Sequence, residues 1–164
     1  MASPARVVLN GERLTIAEVE AVARGSAPVS LGPAAEARLA AAHAALGAAI
    51  AGGEVIYGVN TGFGSLARQR LEGEQLREVQ RNLILSHAAG VGEPLGADVV
   101  RAMWLLLVAS LGRGLSGVRP LIAERVLALL NAGVTPRVPS VGSVGASGDF
   151  GAARARGAGV ARRR

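Results

Sequence analysis

The sequence predicts a mainly α-helical protein, and three observations carry that expectation. Four segments, residues 34–50, 73–88, Ala97–Leu111 and 118–131, are long enough for helices and repeat apolar residues at three- and four-residue spacing. Glycine or proline marks their ends: Pro33, Gly52 and Gly53, Gly73, Gly112 and Gly114, Gly117, Gly133. Strand-like runs, by contrast, are only about three residues long, as at Val7–Leu9 and Val55-Ile56-Tyr57.

Taken in order, Val7–Leu9 reads as a short strand and Asn10-Gly11 as a tight turn. Thr15-Ile16-Ala17-Glu18 has the spacing of a capping box, so a helix runs from there to about Arg24, with Ile16, Val19 and Val22 on one face. The alanine-rich segment 34–50 follows Pro33 and is broken only by Gly47. It carries His43, one of two histidines, to which no role is assigned. Segment 73–88 sets Leu76, Val79, Leu83 and Ile84 on one face and charges opposite, then runs into His87 and a Gly90-x-Gly92 turn. Two apolar helices follow, and Pro136 and Pro139 stiffen the approach to a glycine-rich stretch. No internal repeat and no linker between domains is evident in this order.

Composition bounds the function. The chain has 164 residues, half of them hydrophobic, enough for one domain with a core. It contains no cysteine, which excludes disulfides, thiolate metal sites and a cysteine nucleophile. The start lacks the apolar core of a signal peptide, and the most apolar run, 102–111, is too short to span a bilayer, so a cytoplasmic location is the default expectation. The net charge of +6 is local: Arg154, Arg156, Arg162, Arg163 and Arg164 follow Asp149 with no acid among them, leaving thirteen basic and twelve acidic residues in the body. There is no lysine, so the glycine-rich stretch is not a P-loop.

Two stretches invite chemistry. Val141 to Asp149, VGSVGASGD, centres on Ala146-Ser147-Gly148. In a sharply bent loop a glycine nitrogen, unshielded by a Cβ, can attack the carbonyl two residues back. With loss of water from the serine, the backbone then becomes a five-membered ring bearing an exocyclic alkene, an electrophile no ordinary side chain supplies. Taken alone, the tripeptide reads as a plain connecting loop, as most Gly/Ser-rich stretches are. The second stretch, EVIYGVNTGFGSL, sets the only tyrosine, Tyr57, where a strand gives way to a glycine-hinged loop. A phenol ionises near pH ~10 in water, so proton abstraction at neutral pH calls for donors or positive charge beside it. A packed aromatic at a strand end is the bland alternative, as a structural histidine is for His87.

Together, IYGVNTGFG at 56–64, RNLILSHAAGVGEPL at 81–95 and GSVGASGD at 142–149 resemble the amino-terminal part of the aromatic amino acid ammonia-lyase family, most of all its histidine-specific members. The resemblance implies the mainly α, fumarase/aspartase-like helical fold, with a short strand-and-loop region near the active site. It implies that Ala146, Ser147 and Gly148 form 4-methylidene-imidazol-5-one, with Asp149 beside it as a support. By the same match Tyr57 takes the substrate β-proton from a mobile lid, and His87 favours a polar substrate ring. The implied reaction is elimination of ammonia from L-histidine to give trans-urocanate, the first step of histidine degradation, without metal or nucleotide. L-phenylalanine or L-tyrosine is the alternative substrate. The family assembles as a homotetramer whose active sites draw on several subunits.

After Asp149 the family pattern stops, so residues 1–149 are expected to form an incomplete lyase domain and 150–164 a basic tail. Back-translating from Phe150 with degenerate codons and removing the first nucleotide yields a frame compatible with L-A-P-L-A-H-V-A-L-V-L-L-G, the kind of helix the family places there. One extra nucleotide after the Asp149 codon accounts for this. The rival for the tail is a basic arm contacting phosphates of nucleic acid, and for the whole chain a non-catalytic partner of full-length lyase subunits. On the frame reading the chain by itself forms no prosthetic ring and has no activity, and it exposes apolar surface of 97–131. High-coverage resequencing across the Asp149 codon is expected to show one nucleotide fewer, or a lyase-like continuation downstream in the other frame. An intact frame with no such continuation overturns the reading.

Overall fold

A computed structural model describes residues 5–64 and 67–142. Among these the order of elements is β1 (Val7–Leu9), α1 (Ile16–Ala23), β2 (Val29–Leu31), α2 (Pro33–Ala51), α3 (Gly73–His87), β3 (Val91–Pro94), α4 (Ala97–Leu111), α5 (Pro120–Asn131) and β4 (Pro139–Val141). The chain divides into two compact units. One takes the residues up to Ala48 together with Gly96–Thr135, the other Ala49–Leu95 together with the residues from Pro136 onward. The chain therefore crosses between units three times, a division that no local composition signals.

In the first unit β1 and β2 pair in parallel, Val7 opposite Val29 and Leu9 opposite Leu31, with α1 as the connection. Asn10-Gly11 is therefore not a hairpin turn, because the next strand returns in the same direction through a helix. The capping box forms as the sequence predicts: the Glu18 amide donates to Thr15 Oγ1 at 3.2 Å, and the Thr15 amide donates to Glu18 Oε2 at 2.7 Å. The backbone and hydroxyl donors of Thr15 hold the Glu18 carboxyl below its ordinary range. This contribution is present at neutral pH and is lost as pH falls through the lowered value. Val22 is fully buried and Val19 half-buried, whereas Ile16 is 82% exposed. As the first helical residue it lies before the turn that packs on the core.

Val22, Val29, Leu39, Leu105, Val108, Ala123 and Leu130 form the centre of this core, with Trp104 beside them. Arg101 of α4 is buried within it. Its Nε and Nη2 donate to the Val22 carbonyl at 3.1 and 2.9 Å, and its Nη1 donates to the Leu130 carbonyl at 3.0 Å. Both carbonyls belong to last turns, of α1 and α5, and that of Leu130 also accepts from Gly133 N at 3.2 Å. Asn131 at the end of α5 pairs with β2 as a strand would: Val29 N donates to its Oδ1 at 2.9 Å and its Nδ2 donates to Val29 O at 2.8 Å. His43, to which the sequence assigned no role, lies 3.0 Å through Nδ1 from the Gly117 carbonyl, to which it donates.

Substituting Arg101→Met removes the side-chain donors from two helix-end carbonyls, leaving that of Val22 without a partner among the described residues and that of Leu130 with Gly133 N, and is expected to destabilise this unit by about 2–3 kcal/mol. The measurement is the urea midpoint followed through Trp104, the single tryptophan. An unchanged midpoint would show that the carbonyls find other donors.

Candidate active site

The second unit contains the Tyr57 loop and the helix that ends at His87. Tyr57 does not follow a strand. Residues 56–60 form one tight turn, in which the amides of Val59 and Asn60 donate to the Ile56 carbonyl at 3.1 and 3.2 Å. The expected strand does not form, because Asn60 captures its main-chain groups in a competing local arrangement. Its Oδ1 accepts from Ile56 N at 2.7 Å, and its Nδ2 donates to the Glu54 carbonyl at 2.7 Å. Thr61 acts on the other side of Tyr57, accepting from Gly58 N at 3.1 Å and donating to Gly62 O at 2.9 Å.

Asn60 and Thr61 are 4% and 0% exposed, whereas Tyr57 between their hydrogen bonds is 65% exposed. The loop closes on a short antiparallel bridge, Thr61 opposite Arg70, with Leu71 N donating to Asn60 O at 2.9 Å and Gly62 N to Gln69 O at 3.2 Å. The Tyr57 ring meets Phe63 edge-on, centroids 5.9 Å apart and planes at 73°. The arrangement is a hydrogen-bonded loop that presents one phenol to its surroundings.

Helix α3 connects this loop to the second predicted residue. Gln80 Nε2 donates to the Gly58 carbonyl at 3.3 Å, so the residue after Tyr57 is held from α3 as well as from Thr61. Leu76, Val79, Gln80 and Leu83 share one half-buried face. His87 is the last residue of α3. Four residues later β3 begins and pairs antiparallel with β4, Val91 opposite Val141 and Pro94 opposite Pro139, with Leu95 N donating to Val138 O at 2.8 Å.

The Gly90-x-Gly92 sequence, expected to make a turn, instead lets β3 lie against β4. A Cβ on Gly90 would stand 3.0 Å from the Pro139 side chain, and one on Gly92, whose φ is +86°, would stand 3.0 Å from Ser140 Oγ. The pairing thus joins the chain leaving His87 to the chain that reaches Ala146 five residues after Val141. Ala146, Ser147, Gly148 and Asp149, like the basic tail, lie outside the described residues.

Sequence reasoning passed over Thr61 and Gln80 and read Asn60 only as a loop residue. Asparagine and threonine adjacent in a glycine-flanked segment were the signal available for Asn60 and Thr61, and Gln80 had none. Among the described residues no group of three acidic or histidine side chains could hold a metal, and no helix is long and apolar enough to cross a membrane.

The family described as aromatic amino acid lyase matches residues 14–155. The chain belongs to that family. It is 50% identical over 144 residues to a histidine ammonia-lyase of Geobacillus thermodenitrificans, a match covering 88% of this chain and 29% of the relative. Among solved structures it is similar to the histidine ammonia-lyase of Trypanosoma cruzi, with a TM-score of 0.76 at 38% identity, over 85% of this chain and 27% of that one. It is also similar to the ergothionase of Treponema denticola, with a TM-score of 0.86 at 29% identity, over 93% and 30% of the two chains. The architecture is the amino-terminal part of the ammonia-lyase fold, mainly α as the sequence predicts, and the chain spans less than a third of the length of the curated relatives it matches.

Proposed function

We propose that this chain is the amino-terminal part of an ammonia-lyase acting on L-histidine, and that residues 1–149 are its lyase portion. The observation that carries the reading is the meeting, within one unit, of the Tyr57 loop, the α3 end at His87 and the strand leading toward Ala146. The 50% identity to histidine ammonia-lyases supports histidine over phenylalanine or tyrosine.

The prosthetic ring is built from the chain itself, so its fit is tested by the tripeptide's own chemistry. A small residue, a β-hydroxyl able to leave as water and a glycine nitrogen without a Cβ are all present in Ala146-Ser147-Gly148. Once formed, 4-methylidene-imidazol-5-one supplies an electrophilic alkene that activates the amino acid, and Asp149 supports it. Tyr57 takes the β-proton of the bound substrate from the exposed tip of its loop. The Cα–N bond breaks, its electron pair leaves with ammonia, and the Cα–Cβ double bond of trans-urocanate forms. His87 at the end of α3 favours an imidazole over a phenyl ring. In this reading the enzyme is a cytoplasmic homotetramer of histidine degradation, and residues 150–164 are out-of-frame sequence without a role in nucleic-acid binding.

A second reading, a non-catalytic chain that binds full-length lyase subunits, is favoured by apolar side chains left exposed, among them Leu106 at 51% and Leu115 at 80%. Co-purification with a full-length lyase, without turnover by the frame-restored protein, would select it.

The frame-restored gene product is expected to form urocanate from L-histidine, followed by ultraviolet absorbance, and Tyr57→Phe to lower kcat roughly 10²–10⁴-fold. Preference for L-phenylalanine or L-tyrosine would overturn the substrate assignment. The 164-residue chain is expected to show no turnover and, by intact mass, none of the water loss of ring formation. Observing that loss would show that the ring forms without the rest of the lyase.

A further inference from the structure

We propose that Asn60 is the positioning residue for Tyr57, setting the direction in which the phenol leaves the loop. The inference rests on the reading of Tyr57 as the proton acceptor and extends it to a residue that touches no substrate. The Asn60 side chain spends its acceptor on Ile56 N and a donor on Glu54 O, both at 2.7 Å, while its main chain donates to Ile56 O at 3.2 Å and accepts from Leu71 N at 2.9 Å. Every one of these partners but Leu71 lies in the three residues before Tyr57. Gly58, on the far side, is held through its amide by Thr61 and through its carbonyl by Gln80. The peptide groups flanking Tyr57 are therefore fixed, and the only freedom left to the residue is rotation of its own side chain, limited by the Phe63 edge.

A loop whose purpose was connection alone would not need a buried amide with both ends engaged beneath an exposed aromatic tip. Alanine at position 60 removes both side-chain bonds. Aspartate keeps the acceptor for Ile56 N but, as a carboxylate, has no donor for Glu54 O. Neither change touches the core of the first unit.

The test uses the chain as it is, because Tyr57 and Trp104 are its only tyrosine and tryptophan and lie one in each unit. With tyrosine isotopically labelled, the nuclear magnetic resonance spectrum of the unsubstituted chain should show one set of Tyr57 ring signals, dispersed from random-coil positions and cross-relaxing with Phe63. In Asn60→Ala and Asn60→Asp those signals should move to random-coil positions and lose the Phe63 contact, while the Trp104 indole signal stays in place. Unmoved Tyr57 signals in either variant overturn the proposal. If both variants unfold, amide exchange in the unsubstituted chain decides: Ile56 N–H, whose acceptor is the Asn60 side chain, should exchange at least about tenfold more slowly than an unstructured amide, and unslowed exchange overturns the proposal. No turnover enters these measurements, so a failure of the lyase reading, seen as absent urocanate formation by the frame-restored protein, is distinguishable from a failure of the clamp.

Discussion

Backbone groups that leave regular structure inside a protein must still find partners, and in this chain a few side chains meet that demand. Arg101 does so in the first unit, where a guanidinium with a fixed fork of donors serves the carbonyl ends of two helices at once. Asn131 does the same for β2, pairing with both main-chain groups of Val29 as a neighbouring strand would. Asn60 and Thr61 do it around Tyr57. Arg101, Asn60 and Thr61 are buried because the main chain requires it, whereas Asn131 meets the same demand from an exposed position.

The two units use this device differently. In the first, apolar side chains from α1, α4, α5 and both strands supply a continuous core, and the polar contacts fix its ends. The second has little core of its own: among its described side chains only Leu71, Val138, Asn60 and Thr61 are buried, and Ile84 and Leu85 of α3 remain exposed. Its order depends on hydrogen bonds of the loop and on the β3–β4 pair.

Much of the fold was legible locally. The helical periods of 73–88 and Ala97–Leu111, the capping box at Thr15 and the stop after Asn131 all act within a few residues of themselves, and the structure keeps them within about three residues of expectation. Strands β2, β3 and β4 were not legible. Each is three or four residues long, with proline within or beside it, and exists only because a distant segment pairs with it. The Gly90-x-Gly92 reading failed for the same reason, since a glycine needed for close approach looks in sequence like a glycine needed for a turn. Likewise Val55-Ile56-Tyr57 has strand composition, but Asn60 captures its backbone.

The sequence by itself determined the helices and the family and nominated the candidate site residues, because side-chain type, short-range spacing and three ordered motifs are all written along the chain. Only the tertiary structure decided that Tyr57 stands on a clamped turn, that Gln80 ties that turn to the helix ending in His87, and that β3 and β4 join this helix to the approach to Ala146. These are contacts between residues about 20 to 50 positions apart. Their energies come from burial and hydrogen bonds that exist only once the intervening chain has folded, so no local signal could announce them.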